Sequence, residues 1–190
     1  MIGNDIVDLK HATTGGNWEC PRFLEKVFTK KEEALIFASE NQHQTVWLLW
    51  SMKEAAYKLH VQKFKKRFFN PTRLECELIS EDKGIVKIDD NEYFTASTLT
   101  EDYVYTIAKQ NNTQEVYTSV FETKKEDYKI QSDLLKERFL KAISKTKGLT
   151  FHALKIEKTA IGIPQVFYAS KQLSISFSLT HCGRFSGFAY

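Results

Sequence analysis

The sequence lacks the features of a secreted, membrane-bound or disulfide-stabilised protein. Its three cysteines show no metal-ligand spacing, and we expect free thiols in a reducing compartment. No apolar stretch approaches the ~20 residues of a membrane span. The first residues, Met1 to Asp5, include neither the basic nor the apolar region of a secretory signal. We therefore expect a cytoplasmic protein with no membrane partner.

A strong excess of one charge is also absent. There are 27 Lys and Arg residues against 24 Asp and Glu, which gives a net charge of +3. A dedicated nucleic-acid-binding protein is usually far more basic, so we do not expect a nucleic-acid partner. The hydrophobic content of 42% and the charged content of 27% are typical of a globular protein. A chain of 190 residues can bury a core as one domain or as two small ones.

The segment from Trp47 to Leu59 predicts a helix that is covered on two sides. Apolar residues recur at helical spacing and form a core-facing stripe: Leu49, Met52, Ala56 and Leu59. Glu54 and Lys58 are neighbours at i and i+4 on the far side, where Trp47 and Trp50 also lie. A carboxylate in such a place requires a cation, a metal or several donors, so Glu54 is a candidate site residue. The alternative is a solvated surface pair of Glu54 and Lys58.

The remaining pattern alternates helices and strands twice and predicts an α+β fold. Thr29 and Glu32 have the spacing of a capping box, which predicts the start of a helix. Short runs of β-branched and aromatic residues between 72 and 121 predict an antiparallel sheet. Helices are also predicted over 21–28 and 127–146, the Trp-rich helix is expected to end near Val61, and strands are predicted over 151–157, 165–169 and 173–179.

A basic segment with interleaved aromatic residues, 63–69, follows the Trp-rich helix. Its cations are Lys63, Lys65, Lys66 and Arg67. This mixture is compatible with single-stranded nucleic acid, with a phosphate-rich cofactor or with an acidic protein partner. The alternative is a loop whose cations are solvated and whose Phe residues fill the core.

Three motifs together resemble the 4′-phosphopantetheinyl transferase superfamily. The first, Gly3-Asn4-Asp5-Ile6, resembles its G-x-D-I/V element. The second, Trp50-Ser-Met-Lys53-Glu54-Ala-Ala-Tyr57-Lys58, resembles its W-x-x-K-E-A/S-x-x-K helix and matches at every defined position. The third, Gly162-Ile-Pro164 with Ser176-Phe-Ser178-Leu-Thr180-His181-Cys-Gly183, resembles its G-K-P…S-x-S-H-S/C-G segment. The helix motif is the most specific of the three.

The resemblance implies a fold of two α+β halves with antiparallel sheets in a pseudo-dimeric arrangement. The halves would span roughly 1–124, with the G-x-D and helix motifs, and 125–190, with the third motif. Their order is swapped relative to the longer members of the superfamily, in which the third motif comes first. We expect a monomer with the site between the halves, and a trimer like that of the short members is the alternative.

The resemblance also implies an activity. Superfamily members transfer 4′-phosphopantetheine from coenzyme A to a serine of an apo carrier protein, with Mg²⁺, and release 3′,5′-ADP. The expected type is holo-acyl-carrier-protein synthase, as in fatty acid biosynthesis. By resemblance, Asp5 and Glu54 would bind Mg²⁺, Glu54 and Lys58 would be catalytic, and coenzyme A would be bound by Lys53, Lys58 and His181.

Two departures and three alternatives accompany this hypothesis. Longer members carry an acid two positions after the G-x-D aspartate, where this chain has Val7, and the Lys of G-K-P is Ile163. Asp8 either supports a metal ligand or caps a turn. Segment 63–67 either binds the 3′-phosphate of coenzyme A or steers an acidic carrier protein. A non-catalytic module that uses segment 63–69 to bind nucleic acid or an acidic protein is the alternative function.

Overall fold

The computed structural model describes residues 1–15, 18–68, 70–123 and 127–190, which form an α+β fold. The helices in these ranges are α1 (Leu9–Gly15), α2 (Pro21–Val27), α3 (Lys30–Ala38), α4 (Gln42–Phe64) and α5 (Tyr128–Lys147). The first six strands are β1 (Ile2–Asp8), β2 (Leu74–Leu78), β3 (Lys83–Ile88), β4 (Asn91–Leu99), β5 (Tyr103–Lys109) and β6 (Thr118–Glu122). The later strands are β7 (Leu154–Lys158), β8 (Pro164–Tyr168), β9 (Lys171–Gln172), β10 (Ser178–Cys182) and β11 (Phe185–Ala189). All strand pairs are antiparallel, as predicted.

Helix α4 packs on a five-stranded sheet with the order β1-β5-β4-β3-β2. Leu49, Met52, Ala56 and Leu59 are buried, so the core stripe predicted for this helix is confirmed. Gly3 allows β1 to approach the helix closely, because a Cβ at this position would lie only 1.9 Å from the carbonyl oxygen of Ala55. This approach brings Asp5, in β1, beside the turn of α4 that carries Glu54.

The predicted helix ends agree with the structure in most places. The Thr29 side chain and the Glu32 side chain form the reciprocal capping box that the sequence predicted. Asp127 caps α5, and Gly148 ends it in the left-handed conformation with φ of 64°. Helix α4 runs to Phe64, beyond the predicted end near Val61, and Lys65 follows it with φ of 57°.

The second part of the fold contains two small sheets, β10-β11-β6 and β7-β8-β9, with α5 packed on both β10 and β11. Its core is built around stacked rings of Phe139 and Phe177, whose centroids are 4.4 Å apart. The strand predicted over 173–179 is wrong in its extent, because β10 begins only at Ser178. The boundary predicted at residue 124 lies outside the described residues and stays a prediction; β6, which precedes it, pairs with β11.

Side-chain hydroxyls join β1 to β10. The backbone N–H of Asn4 donates to Ser178 Oγ at 3.1 Å, and that of Ile6 donates to Thr180 Oγ1 at 3.3 Å. At the end of β1, Asp8 accepts hydrogen bonds from Arg184. The two parts therefore meet along the strand that carries Asp5. None of the helices in the described ranges is long and apolar enough to cross a membrane.

Candidate active site

A cleft lies between helix α4 and the second part of the fold. Its volume is about 370 Å³. Its charged and imidazole side chains come from both sides: Glu54, Lys58, Arg67, Lys136, Lys158 and His181. Four cations and one carboxylate give the cleft the character of a binding site for an anion.

Glu54 and Lys58, one helical turn apart in α4, both line this cleft, and Asp5 pairs with Lys58. The Lys58 ammonium donates to Asp5 Oδ1 at 2.9 Å and to the Asn4 carbonyl oxygen at 2.8 Å. Glu54 is half-buried, and no described residue donates a hydrogen bond to its carboxylate. Burial, reinforced by the Asp5 carboxylate and only partly opposed by Lys58, raises the pKa of Glu54 to about 6. Asp5 and Glu54 are thus near enough for one carboxylate to raise the pKa of the other, and their joint binding of a metal stays a prediction.

This pair of carboxylates fits a magnesium ion that is shared with a phosphate ligand. Mg²⁺ is typically held by one or two carboxylates together with substrate phosphates and water. Asp5 and Glu54 would supply two carboxylates, and a bound divalent cation would relieve the repulsion that raises the pKa of Glu54. In the described ranges no three His, Cys, Asp or Glu residues come together as a metal site. Two carboxylates fit an ion whose remaining ligands are phosphate oxygens and water.

His181 lies in the same cleft. Its ring contacts Tyr128 edge-on, with the centroids 4.5 Å apart. Burial lowers the pKa of His181, and Lys58, Lys136 and Lys158 lower it further. The neutral imidazole is therefore favoured, and its N–H can donate a hydrogen bond to an anionic ligand.

Comparison with known proteins agrees with the motifs. A model of the 4′-phosphopantetheinyl transferase superfamily matches residues 1–108, more than half of the chain. The chain belongs to this superfamily. Among solved structures, the holo-[acyl-carrier-protein] synthase (AcpS) of Thermotoga maritima is similar, with 12% identity and a TM-score of 0.41 over 90% of this chain and 83% of that chain. No curated protein matches this sequence.

Within the superfamily helix motif, the structure separates Lys53 from Glu54. Lys53 is buried and does not line the cleft. Its ammonium donates to Glu32 Oε2 at 2.7 Å, to the Val27 carbonyl at 2.9 Å and to the Pro71 carbonyl at 3.1 Å. Three acceptors satisfy all three of its N–H groups. This geometry does not support the predicted contact of Lys53 with coenzyme A, since the ammonium is occupied inside the core.

The superfamily resemblance left the role of Asp8 open. In the structure, Asp8 stabilises the fold through hydrogen bonds to its neighbours. The Asp8 carboxylate accepts hydrogen bonds from Arg184 Nε and Nη2, both at 2.9 Å, and from the backbone N–H groups of Lys10 and His11. It caps α1 and holds the turn between β10 and β11. Arg184 was not identified from the sequence, because nothing in its local pattern indicates a partner 176 residues away.

The ion pair of Asp8 leads to a prediction for acid stability. Burial alone would raise the pKa of Asp8, but hydrogen bonds from Arg184 and the α1 backbone outweigh it and lower the pKa to about 2. The stabilisation is present above the usual carboxyl pKa of ~3.9 and is lost as the pH falls through about 2. We expect Asp8→Asn to lower the free energy of unfolding by ~2 kcal/mol at pH 7. In urea titrations, its deficit against the natural protein should shrink below about pH 4.

Asp102 provides the control for that prediction. It is the second partner of Arg184 at 3.0 Å, but its side chain is 62% exposed. Exposed pairs contribute ~0–1 kcal/mol, so Asp102→Asn should change the free energy of unfolding little at any pH. A deficit of Asp8→Asn that is equally large at pH 7 and pH 3 would show that charge is not the cause.

The basic segment 63–67 is divided between the cleft and the surface. Arg67 lines the cleft and lies against Gly162, where a Cβ would approach the Arg67 guanidinium to 2.4 Å. Gly162 also has φ of 80°, a conformation that favours glycine. Lys63, Lys65 and Lys66 are exposed and do not line the cleft. Gly162, in the third superfamily motif, thus leaves room for the side chain of Arg67, which follows the helix motif in sequence.

Two cations of the cleft were not predicted as site residues. Lys136 lies in α5 beside the buried Leu135, and Lys158 ends β7. Neither belongs to one of the superfamily motifs. The only sequence signal for Lys136 is its position next to an apolar stripe, and the signal for Lys158 is its short distance before Gly162.

Proposed function

We propose that this protein transfers the 4′-phosphopantetheine group of coenzyme A to a serine hydroxyl of an apo carrier protein and releases 3′,5′-ADP. The proposed type is a Mg²⁺-dependent holo-acyl-carrier-protein synthase, as required for fatty acid biosynthesis. The observation that carries the proposal is a cation-lined cleft that contains Glu54 and Lys58, with Asp5 paired to Lys58. A diphosphate is the kind of ligand that such a cleft can neutralise and hold.

The reaction forms one bond and breaks one. The serine oxygen attacks the phosphorus that bears pantetheine, and the bond from that phosphorus to the oxygen of 3′,5′-ADP breaks. Glu54, directly or through a water, takes the proton of the serine hydroxyl. When bound by Asp5 and Glu54, Mg²⁺ would neutralise the diphosphate.

The cations of the cleft hold the substrate. Lys58 differs from Lys53 in lining the cleft with a side chain that is 29% exposed, so its ammonium can contact the diphosphate as a point charge. His181 and Arg67 lie further along the same cleft and are proposed to bind other phosphate oxygens of coenzyme A. Keeping the diphosphate fixed in line with the attacking hydroxyl is the main task of these groups.

The acceptor is proposed to be an acidic carrier protein. Lys63, Lys65 and Lys66 are exposed beside Arg67, outside the cleft, where they can attract negative charge on a protein that presents its serine. The monomeric, pseudo-dimeric state and the cytoplasmic localisation expected from the sequence stay predictions.

The direct test is the mass of the carrier. The purified protein is incubated with coenzyme A, Mg²⁺ and an apo acyl carrier protein, and the carrier should gain the mass of one phosphopantetheine. A carrier whose acceptor serine is replaced by Ala, and a reaction with chelator, should show no gain. If several carriers remain unmodified and the protein instead binds RNA or DNA in a salt-sensitive way, the non-catalytic alternative is favoured.

The divided basic segment makes a prediction about substrate affinities. Arg67→Ala should raise the KM for coenzyme A about tenfold, because it removes a charge-assisted contact in the cleft. A Lys65→Glu, Lys66→Glu double variant should instead raise the KM for the carrier, and the increase should fade at high salt. Both values come from initial rates with one substrate varied.

Lys83→Glu is the matched control for these variants. Lys83 is an exposed lysine at the start of β3, outside the cleft, and reversing its charge should leave both KM values unchanged. If Lys65→Glu, Lys66→Glu raised the KM for coenzyme A and not that for the carrier, segment 63–67 would serve the cofactor instead.

A further inference from the structure

The hydroxyl of Thr180 contacts three groups at the junction of the two parts of the fold. Thr180 lies in β10, one residue before His181, and is buried. Its Oγ1 is 3.2 Å from Asp5 Oδ1, 3.3 Å from the backbone nitrogen of Ile6 and 3.4 Å from Lys58 Nζ. One hydroxyl thus touches the candidate metal ligand and the candidate phosphate-binding lysine.

The identity of these partners fixes the direction of the hydroxyl hydrogen. A threonine hydroxyl has one hydrogen to donate and two lone pairs that accept. The Ile6 N–H and the Lys58 ammonium can only donate, so they take the two lone pairs. The hydrogen is therefore directed to Asp5 Oδ1, the one acceptor of the three.

The hydrogen bonds to the Asp5 carboxylate therefore reach only one of its two oxygens. Asp5 Oδ1 accepts from both Thr180 and Lys58, whereas Oδ2 accepts no hydrogen bond from any residue in the described ranges. The ammonium of Lys58 sits on a flexible chain, but the Thr180 hydroxyl sits on a short side chain of a paired strand and accepts from the Ile6 N–H. Thr180 therefore supplies the rigid half of this support.

We propose that Thr180 is a positioning residue that orients the Asp5 carboxylate for metal binding. This inference rests on the proposed function, since it assumes that Asp5 binds a divalent ion. It also explains how the second part of the fold, beyond its own contribution of His181, helps to complete a site whose acids both lie in the first part. Removing the hydroxyl should free Asp5 to rotate and should weaken the ion.

Ser178 provides an internal comparison. It lies two residues before Thr180 in β10, on the same face of the strand. Its hydroxyl also accepts a hydrogen bond from β1, at Asn4 N, but it does not contact the Asp5 carboxylate. Loss of this hydroxyl disturbs the β1–β10 junction in a similar way without touching the carboxylate.

The test measures Mn²⁺ as a spectroscopic substitute for Mg²⁺. Free Mn²⁺ is titrated by electron paramagnetic resonance against each purified full-length variant in the presence of coenzyme A. Thr180→Val, which keeps the shape but lacks the hydroxyl, should weaken Mn²⁺ binding about tenfold, as expected for a lost hydrogen bond to a charged group. Thr180→Ser and Ser178→Ala should both stay within about twofold of the natural protein.

Three results would overturn the inference. They are an unchanged Mn²⁺ affinity in Thr180→Val, an equal loss in Ser178→Ala, and an equal loss in Thr180→Ser. If Thr180→Val does not fold by circular dichroism, Thr180→Ala is compared with Ser178→Ala under the same criteria. Carrier modification by the natural protein together with unchanged Mn²⁺ affinity in Thr180→Val rejects only the inference. A natural protein that modifies no carrier and binds no Mn²⁺ rejects the proposed function as well.

Discussion

Glu54→Gln is expected to reduce phosphopantetheine transfer at least about hundredfold, since a general base contributes ~10²–10⁴-fold to rate. The substitution removes the charge and the basicity of the side chain but keeps its shape. No described residue donates a hydrogen bond to Glu54, so its replacement leaves no donor there without a partner. Burial disfavours the charged form, and we therefore expect the variant to be at least as stable as the natural protein.

Two measurements check this result. The rate of 3′,5′-ADP release gives kcat/KM, and thermal unfolding gives the stability. Glu157→Gln serves as the control, because Glu157 is half-exposed, pairs with Lys155 and lies outside the cleft. A Glu54→Gln protein with full activity would show that the role assigned to Glu54 is wrong, whatever its stability.

Lys53→Met is expected to lower the free energy of unfolding by ~3–5 kcal/mol, because it leaves a buried carboxylate without its cation. That carboxylate belongs to Glu32, which is fully buried. Glu32 also accepts from the backbone N–H groups of Thr29 and Cys76, both at 2.7 Å. The Lys53–Glu32 pair thus joins α3, α4 and β2, and an apolar side chain at Lys53 alone would leave Glu32 without its cation.

Urea titration measures this loss, and a second substitution isolates its cause. In the double variant Lys53→Met, Glu32→Gln no charge remains buried, so much of the lost stability should return. The folded single variant should keep the KM for coenzyme A of the natural protein. An increase in that KM with little change in stability would instead favour the contact with coenzyme A that the motif resemblance implied.

Neighbouring residues of one motif show how far the sequence could be interpreted. The periodicity of α4 correctly predicted its core stripe and set Glu54 apart from it. The superfamily motif implied that both Lys53 and Glu54 belong to the site. Consecutive helical residues, however, point about 100° apart. Which of the two faces the cleft depends on Glu32, an acid from another helix, and local pattern carries no information about such a partner.

The same limit applies to the rest of the candidate site. The capping box at Thr29 and the Gly cap of α5 were predictable because they depend on residues a few positions apart. The contact of Thr180 with Asp5 and the ion pair of Asp8 with Arg184 each join residues about 175 positions apart. Such contacts follow from the packing of β1 against β10 and β11, which strand patterns do not specify.

The pairing of β6 with β11 bears on how this polypeptide could be divided into complementary fragments. A cut at residue 124 would separate β6 from β11 and leave an open edge on each fragment. A cut near Asn112, in the exposed connection between β5 and β6, would leave every sheet whole. Two fragments made there would associate through the contact of β1 with β10, like the subunits of a heterodimer. The cleft would then form at the interface between them.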